Sequence, residues 1–351
     1  MSKPPSLFEW MVVGAGPAGI AAVGKLIDAG IPAAKIGWLD PHFEVGDLGR
    51  KWNAVPSNTS VSLFLRFLNH SAAFDFKKRP DKFAIEGRDP KENCPLEEIA
   101  APLRWVTKQL QEKVSAMEGT AIALNLSQGR WEVKTESASY FAKKVILAIG
   151  SDPKSLTHPA HEAISMDIAL NPAKLAKAVQ KKDTVGVFGS SHSAILVLAN
   201  LVELKVKGVI NFYRSPHRYA VYFDDWILFD DTGLKGFTAK WAREHLDGTP
   251  PKNLKRVLVS DHAFEESLAL CNKLIYATGF ERRKLPVLEQ YETLNYDDKT
   301  GIIAPCLFGL GIAFPQTKLN RLGHLETRVG LWKFMDYLET ILPCWMKYGS
   351  H

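Results

Sequence analysis

The segment Gly14-Ala15-Gly16-Pro17-Ala18-Gly19 lies between the apolar run Met11-Val12-Val13 and a helical stretch from Ile20 to Ala29. A strand must turn tightly into a helix here, with no side chains in the way. Gly14 permits the turn, Gly16 lets backbone amides approach a pyrophosphate, and Gly19 lets the helix pack close on its strand. The helix that Pro17 and Ala18 open presents unpaired N–H groups and a positive dipole end to phosphates. About twenty residues on, where such folds place an acidic partner, Trp38-Leu39-Asp40 ends a second strand. Asp40 is placed to accept hydrogen bonds from a ribose diol. Fingerprint, strand, helix and carboxylate in register predict a bound adenine dinucleotide.

A chain of 351 residues has room for two domains and a large core. Its 46% hydrophobic and 23% charged content is that of an ordinary globular protein. The net charge of +6 is carried by scattered residues, so no nucleic-acid partner is expected. Cys94, Cys271, Cys306 and Cys344 form no CxxC pair, which excludes a sequence-local redox disulfide or zinc knuckle. No metal site is expected. Free thiols suit a reducing compartment, and no apolar stretch is long enough to span a bilayer. The expectation is a cytoplasmic protein with a small-molecule substrate and no membrane partner, a homodimer being the candidate assembly.

Along the chain, residues 41 to 95 are loop-rich, with Pro41, Pro56, Pro80 and Pro90 as punctuation. Leu96 to Val114 has helical periodicity, placing Ile99, Leu103, Val106, Leu110 and Val114 on one face. Ala121 to Leu126 and Arg130 to Thr135 flank Ser127-Gln128-Gly129 as a hairpin. Lys144 to Gly150 reads as a buried parallel strand ending in glycine. Residues 151 to 182 read as a connector. Val257 to Val259 and Lys273 to Ala277 read as strands, and a final helix is expected from about Glu326 to Leu342. Its apolar face, Leu331, Phe334, Met335, Leu338 and Ile341, is expected in the core, with an amphipathic anchor as the alternative.

The opening unit recurs. Thr184 to Phe188 is a buried strand, Gly189-Ser190-Ser191-His192-Ser193-Ala194 a small-residue turn, Ile195 to Leu204 a helix, and Val209 to Arg214 a second strand. Ser191 stands where the second glycine belongs, and its hydroxyl could donate to a phosphate. Ala194 takes the third place, which governs only helix–strand packing. His192 is a candidate phosphate or ribose contact. Arg214 closes the strand where a site for NAD places a carboxylate. A guanidinium there favours a 2′-phosphate by bidentate pairing, so NADPH is expected over NADH.

Two nucleotide folds, the second inserted in the first, with Ala148-Ile149-Gly150 and Ala277-Thr278-Gly279-Phe280, resemble the two-dinucleotide-binding-domain flavoproteins. The resemblance implies an α/β protein with two Rossmann-like, doubly wound dinucleotide-binding domains. FAD would sit on residues 1–155 and 275–351, and NADPH on the inserted residues 156–274. Gly150, Thr278, Gly279, Gly309 and Gly311 would join the cofactor contacts. Gly49-Arg50-Lys51-Trp52 and Pro56-Ser57-Asn58-Thr59-Ser60 look like the GGxW and NTS segments of flavin-containing monooxygenases. By that likeness Trp52 and Asn58 would flank the flavin, Asn58 as the catalytic candidate. The stretch from Gly189, with Tyr213-Arg214-Ser215, also looks like the NADPH region of microbial amine N-hydroxylases.

The departures are specific. FxGxxxHxxxW has no clean match, although His158 and His161 lie in the corresponding linker. Only Gly49 of the double glycine is present. Gly309-Leu310-Gly311 replaces the usual Gly-Asp of the C-terminal FAD motif. Three functions stay open at this point. The first is an NADPH-dependent monooxygenase acting on a small amine or sulfur compound through a flavin hydroperoxide. The others are an NADPH:acceptor flavin reductase and a non-catalytic FAD-binding scaffold.

Overall fold

The computed structural model describes residues 7–291 and 294–349. The chain divides into two compact units. One comprises Met1–Asn53, Thr59–Ser151 and Arg282–His351, and the other Ala54–Asn58 and Asp152–Glu281.

The first unit is built on a mixed sheet. Its doubly wound part runs Ser115–Glu118, Ile36–Asp40, Leu7–Val13, Ser139–Leu147, Leu307–Gly309, all parallel. Val12 pairs in register with Trp38 on one side and Ile146 on the other. Ile36–Asp40, most of Leu7–Val13 and the end of Ser139–Leu147 are covered on both faces, which is why they read as near-continuous apolar runs rather than alternating ones, whereas the edge strand Ser115–Glu118 is not. The expected hairpin forms as Ala123–Ser127 against Arg130–Lys134 and extends this sheet with antiparallel pairing. The helix Pro17–Asp28 buries Ile20, Ala21, Val23 and Leu26. The helix Leu96–Gln111 buries Ile99, Leu103, Val106 and Leu110, the face its periodicity predicts.

The last helix differs from expectation. It spans Leu331–Lys347, not Glu326 to Leu342. The preceding residues form an antiparallel hairpin, Gln316–Leu319 with Leu325–Arg328. Gly330, at φ +142°, breaks the continuity between hairpin and helix. Leu331, Phe334, Met335 and Leu338 are buried with Trp345 in the core beside Trp10, Trp38 and Phe308, so this face is not an anchor. Lys144 closes the far end of the helix. Only 8% exposed, it donates to the carbonyls of Trp345 (2.8 Å) and Met346 (2.6 Å). Those carbonyls have no intrahelical partner, and they carry the negative end of the helix dipole.

The second unit carries a five-stranded parallel sheet in the order Glu162–Ile164, Lys273–Tyr276, Thr184–Phe188, Gly208–Tyr213, Leu254–Leu258. The helix His192–Glu203 follows the central strand. The stretch expected as a plain connector contains the edge strand Glu162–Ile164 and the short helices Met166–Ala169 and Pro172–Ala178. A three-residue edge strand with one buried residue leaves no periodic trace in a sequence.

Among the described residues, no helix is long and apolar enough to cross a membrane. Nor does any group of three or more His, Cys, Asp or Glu lie close enough to hold a metal ion. Cys94 and Cys271 are buried free thiols, and Cys344 is exposed.

Replacing Lys144 with Met strips two helix-end carbonyls of a charged donor. It is expected to cost ~1–3 kcal/mol and to lower the melting temperature in a thermal scan of purified protein.

Candidate nucleotide sites

The first glycine turn has the geometry its spacing demands. Gly14 adopts φ +110°, and a Cβ there would lie 2.3 Å from the Ala148 carbonyl oxygen. A Cβ on Gly19 would fall 1.8 Å from the Gly14 oxygen. Gly16 is the helix N-cap, with no side-chain cap and no acidic residue in the first turn. A Cβ on Gly16 would meet only the Gly46 Cα, at 4.0 Å, so space is left for a ligand above the turn. Unpaired first-turn amides beside that space form an anion site.

Asp40 is 8% exposed and does more than the ribose role its position suggests. One carboxylate oxygen accepts from the Ala15 amide (2.6 Å), the other from the His42 and Phe43 amides (both 2.8 Å). Trp38 Nε1 donates to the Gly14 carbonyl at 3.0 Å. The second strand therefore grips the turn of the first. The oxygen bonded to Ala15 alone, Oδ2, retains further acceptor capacity, and Asp40 lines an open cleft of ≈ 740 Å³ counted out to solvent.

That cleft also brings together Gly14, Asp47, Arg50, Thr120, Arg283 and Lys284. Arg283 was not visible as a site residue in sequence. Its guanidinium donates to Asp47 Oδ2 (2.6 Å) and to the carbonyls of Ile149 and Ser151 (both 3.3 Å). It thereby joins the short helix Gly46–Arg50, which follows the second strand, to the segment around Gly150, which adopts φ +77°. The cationic run Arg282-Arg283-Lys284, directly after the second glycine-ended strand, was the available signal. Three cations against two carboxylates suit a pyrophosphate.

The C-terminal glycines join the same place. Gly311 has φ +85°, and a Cβ on it would be 2.7 Å from the Ala18 Cβ, against the helix start. A Cβ on Gly309 would strike the Phe314 ring at 2.3 Å, so this glycine serves packing. Trp52 is half-buried, and its amide donates to the Asp47 carbonyl at 3.0 Å. Asn58 is exposed and belongs to the second unit.

In the second unit Gly189 adopts φ +127°, and a Cβ would lie 2.3 Å from the Ala277 oxygen. Ser191 is the exposed N-cap of His192–Glu203, again with no side-chain cap and no acid in the first turn. Ser190 and Ser193 are half-buried around it. Gly279 has φ +98° with open space about it, and Thr278 donates to the Lys154 carbonyl at 3.3 Å. Arg214 is exposed just past the end of Gly208–Tyr213.

Two residues missed in sequence support this turn. Asn211, fully buried, donates to the carbonyls of Gly189 (2.7 Å) and Val187 (3.1 Å). Its side-chain oxygen accepts from Arg256 Nε at 3.1 Å. The Arg256 guanidinium lies 4.3 Å over the Tyr213 ring, and burial lowers its pKa. An asparagine inside an apolar strand and an arginine on its neighbour carry no motif, so only the parallel register Asn211↔Arg256 pairs them.

Nδ1 of His192 is 2.9 Å from Thr238 Oγ1, whose own hydroxyl donates to the Lys235 carbonyl. Burial pushes the imidazole down to about 4, opposed in part by a hydrogen bond to the Pro56 backbone and aided slightly by the charge of Lys235. A neutral ring in the first turn also avoids placing a cation at the positive end of the helix dipole.

No family model matches the chain. A curated fungal protein, Monooxygenase AgnR1 of Paecilomyces divaricatus, is 33% identical, with 96% of this chain and 97% of that protein covered. Among solved structures, an ornithine N-hydroxylase of Kutzneria sp. 744 superposes with a TM-score of 0.66 at 14% identity, covering 97% of this chain and 99% of that one. A flavin-containing monooxygenase from Stenotrophomonas maltophilia gives 0.64 at 14% identity, covering 97% and 98%. Bacillithiol disulfide reductase from Staphylococcus aureus gives 0.58 at 12%, covering 97% and 99%. The shared architecture is that of proteins with two dinucleotide folds.

The His192 imidazole generates a pH prediction. Unfolded, it takes a proton near 6.5; folded, it refuses one until about 4. The unfolded state binds more protons inside that window. Stability should therefore be full above 6.5 and fall as pH drops towards about 4, by at most about 1.4 kcal/mol per pH unit from this group. Melting curves across that range should show a shallower slope for His192→Gln.

Proposed function

The chain belongs to the monooxygenase family of that fungal relative, within the two-dinucleotide-binding-domain flavoproteins, and we propose that it oxygenates a small amine or sulfur compound using FAD and NADPH. The observation that carries the reading is the pairing of two uncapped, glycine-opened helix starts with a cationic cleft beside the first. The residues fit a dinucleotide at each turn, because the positions a Cβ would fill are glycine where backbone must come close.

In this reading FAD is held in the first unit. Gly14, Gly16, Pro17, Ala18 and Gly19 present backbone to its pyrophosphate, Asp40 takes the ribose, and Gly150, Gly309 and Gly311 keep the approach open. NADPH is held in the second unit by Gly189, Ser190, Ser191, His192 and Ser193, with Thr278 and Gly279 at the adjacent strand end. Arg214 pairs with the 2′-phosphate. The small hydroxyl side chains of Ser190, Ser191 and Ser193 donate to phosphate oxygens. Neutral His192 keeps its ring free of positive charge and acts as a hydrogen-bonding contact rather than an ion-pair partner.

When bound, the two cofactors supply hydride transfer and the activation of dioxygen, while protein supplies position and water exclusion. Trp52 would help to keep water from a bound flavin. Asn58, the catalytic candidate, is exposed and would offer a side-chain amide donor. The cytoplasm is the location this reading assigns, in keeping with free thiols.

The test is aerobic turnover with FAD-reconstituted protein across amines, thioethers and quinones, following NADPH oxidation, peroxide release and product mass together. The expected result is a product one oxygen heavier. Oxidation of NADPH with all consumed oxygen recovered as peroxide, for every amine and thioether, overturns the reading. Arg214→Ala is expected to raise KM for NADPH by about 10-fold or more, by loss of a charge-assisted bidentate pair, and to leave KM for NADH nearly unchanged. Equal effects on both nucleotides would remove Arg214 from phosphate selection.

A further inference from the structure

The hairpin Gln316–Leu319/Leu325–Arg328 displays apolar side chains that the fold does not use. Leu319, Leu322 and Leu325 are 62%, 69% and 59% exposed, and Leu322 is the most exposed large hydrophobic residue among those described. Leu319 and Leu325 face each other across the ladder, so all three cluster at one tip. An apolar cluster at a projecting tip, instead of single scattered residues, marks a contact surface.

The tip is also built to leave water at low cost. The Asn320 amide donates to the His324 carbonyl (2.8 Å), and the Gly323 amide to the Asn320 carbonyl (3.0 Å). The Asn320 side-chain oxygen accepts from the Leu322 and His324 amides, both at 3.0 Å. The turn thus satisfies its own polar backbone, and its burial in an apolar phase strands few donors. Its base is pinned. Arg328 donates to Gln316 Oε1 (3.0 Å) and to Asp336 Oδ2 on the last helix (2.8 Å).

The charges select the partner. From 318 to 325 the sequence is Lys-Leu-Asn-Arg-Leu-Gly-His-Leu, with no acidic residue; the next residue, Glu326, is half-buried, stands opposite Lys318 in the ladder and accepts from the Asn320 side-chain amide at 3.0 Å. Lys318, Arg321 and His324 alternate with the leucines and are exposed with them. Two such tips brought together would set cation against cation, which disfavours a second copy of this chain. A surface with anionic headgroups over an apolar interior matches both sets at once.

We propose that this hairpin is a membrane-contact element, with Leu319, Leu322 and Leu325 entering the interface of an anionic bilayer while Lys318 and Arg321 meet its headgroups. This is a contact, not a span, and it is independent of the reaction assigned above. It brings the protein to where apolar small molecules partition.

The test is co-sedimentation of the full-length, FAD-reconstituted protein with vesicles of phosphatidylcholine alone and of phosphatidylcholine with about 30% phosphatidylserine, an anionic composition. Binding is expected to the mixed vesicles, with weakening by high salt. Leu322→Asp is expected to lower the partition coefficient about tenfold, and Lys318→Gln/Arg321→Gln at least as much. The charge-removing pair lies on the exposed tip, sets no carboxylate against Glu326, and keeps the test valid should Leu322→Asp fold poorly. Melting temperature and NADPH oxidation in solution should be unchanged in the pair. No sedimentation with mixed vesicles, equal sedimentation of wild type and both variants, or a variant that instead changes the mass seen by light scattering would overturn the proposal. The last outcome would assign the tip to contact between proteins.

Discussion

Close approach of backbone to backbone at the first glycine turn is the constraint on which the first unit rests. Gly19 lies where its Cβ would overlap the Gly14 carbonyl, and Gly14 lies against Ala148 in the same way. These contacts let the helix Pro17–Asp28 sit directly on its strand and aim its unpaired amides at one point. Asp40 and Trp38 then hold that turn from the next strand, through hydrogen bonds to Ala15 and Gly14. The anion site is thus a by-product of the same geometry that packs the core.

The second unit repeats the solution with different parts. Gly189 again closes on a neighbouring strand, at Ala277, but a buried asparagine does the gripping from the next strand. In the first unit a carboxylate accepts from an amide of the turn; in the second an amide side chain donates to a carbonyl of the turn. The two turns therefore differ in local charge. The first carries a carboxylate at its rim, whereas the second has a neutral amide there, linked onward to Arg256. A turn gripped by a neutral amide instead of a carboxylate suits the extra phosphate of the NADPH proposed there.

Around the first turn the cleft is assembled from distant pieces. Asp47 follows the second strand, Thr120 lies near the hairpin, and Arg283 enters only after the inserted unit is complete. Arg283 joins two of these pieces by donating to Asp47 and to the Ile149 carbonyl. One side chain from the returning chain thereby ties the parts of the site together. Helix Leu331–Lys347 returns in the same way, burying Phe334, Met335 and Trp345 in the core that the first helix began.

What the sequence determined by itself was local. The two glycine turns, their strands and helices, the hairpin after Ala121 and the helix from Leu96 were all legible, because each is specified by residues within one or two turns of one another. Tertiary structure alone decided the rest. Arg283, Asn211 and Arg256 act through partners that are remote in sequence and adjacent only in the folded sheet or cleft. The start of the last helix turned on Gly330, whose φ of +142° no periodicity reveals. The ladder that pairs Leu319 with Leu325 gathers the leucines at 319, 322 and 325 at one tip, and they stay exposed because burial is settled by which surfaces the whole chain leaves uncovered.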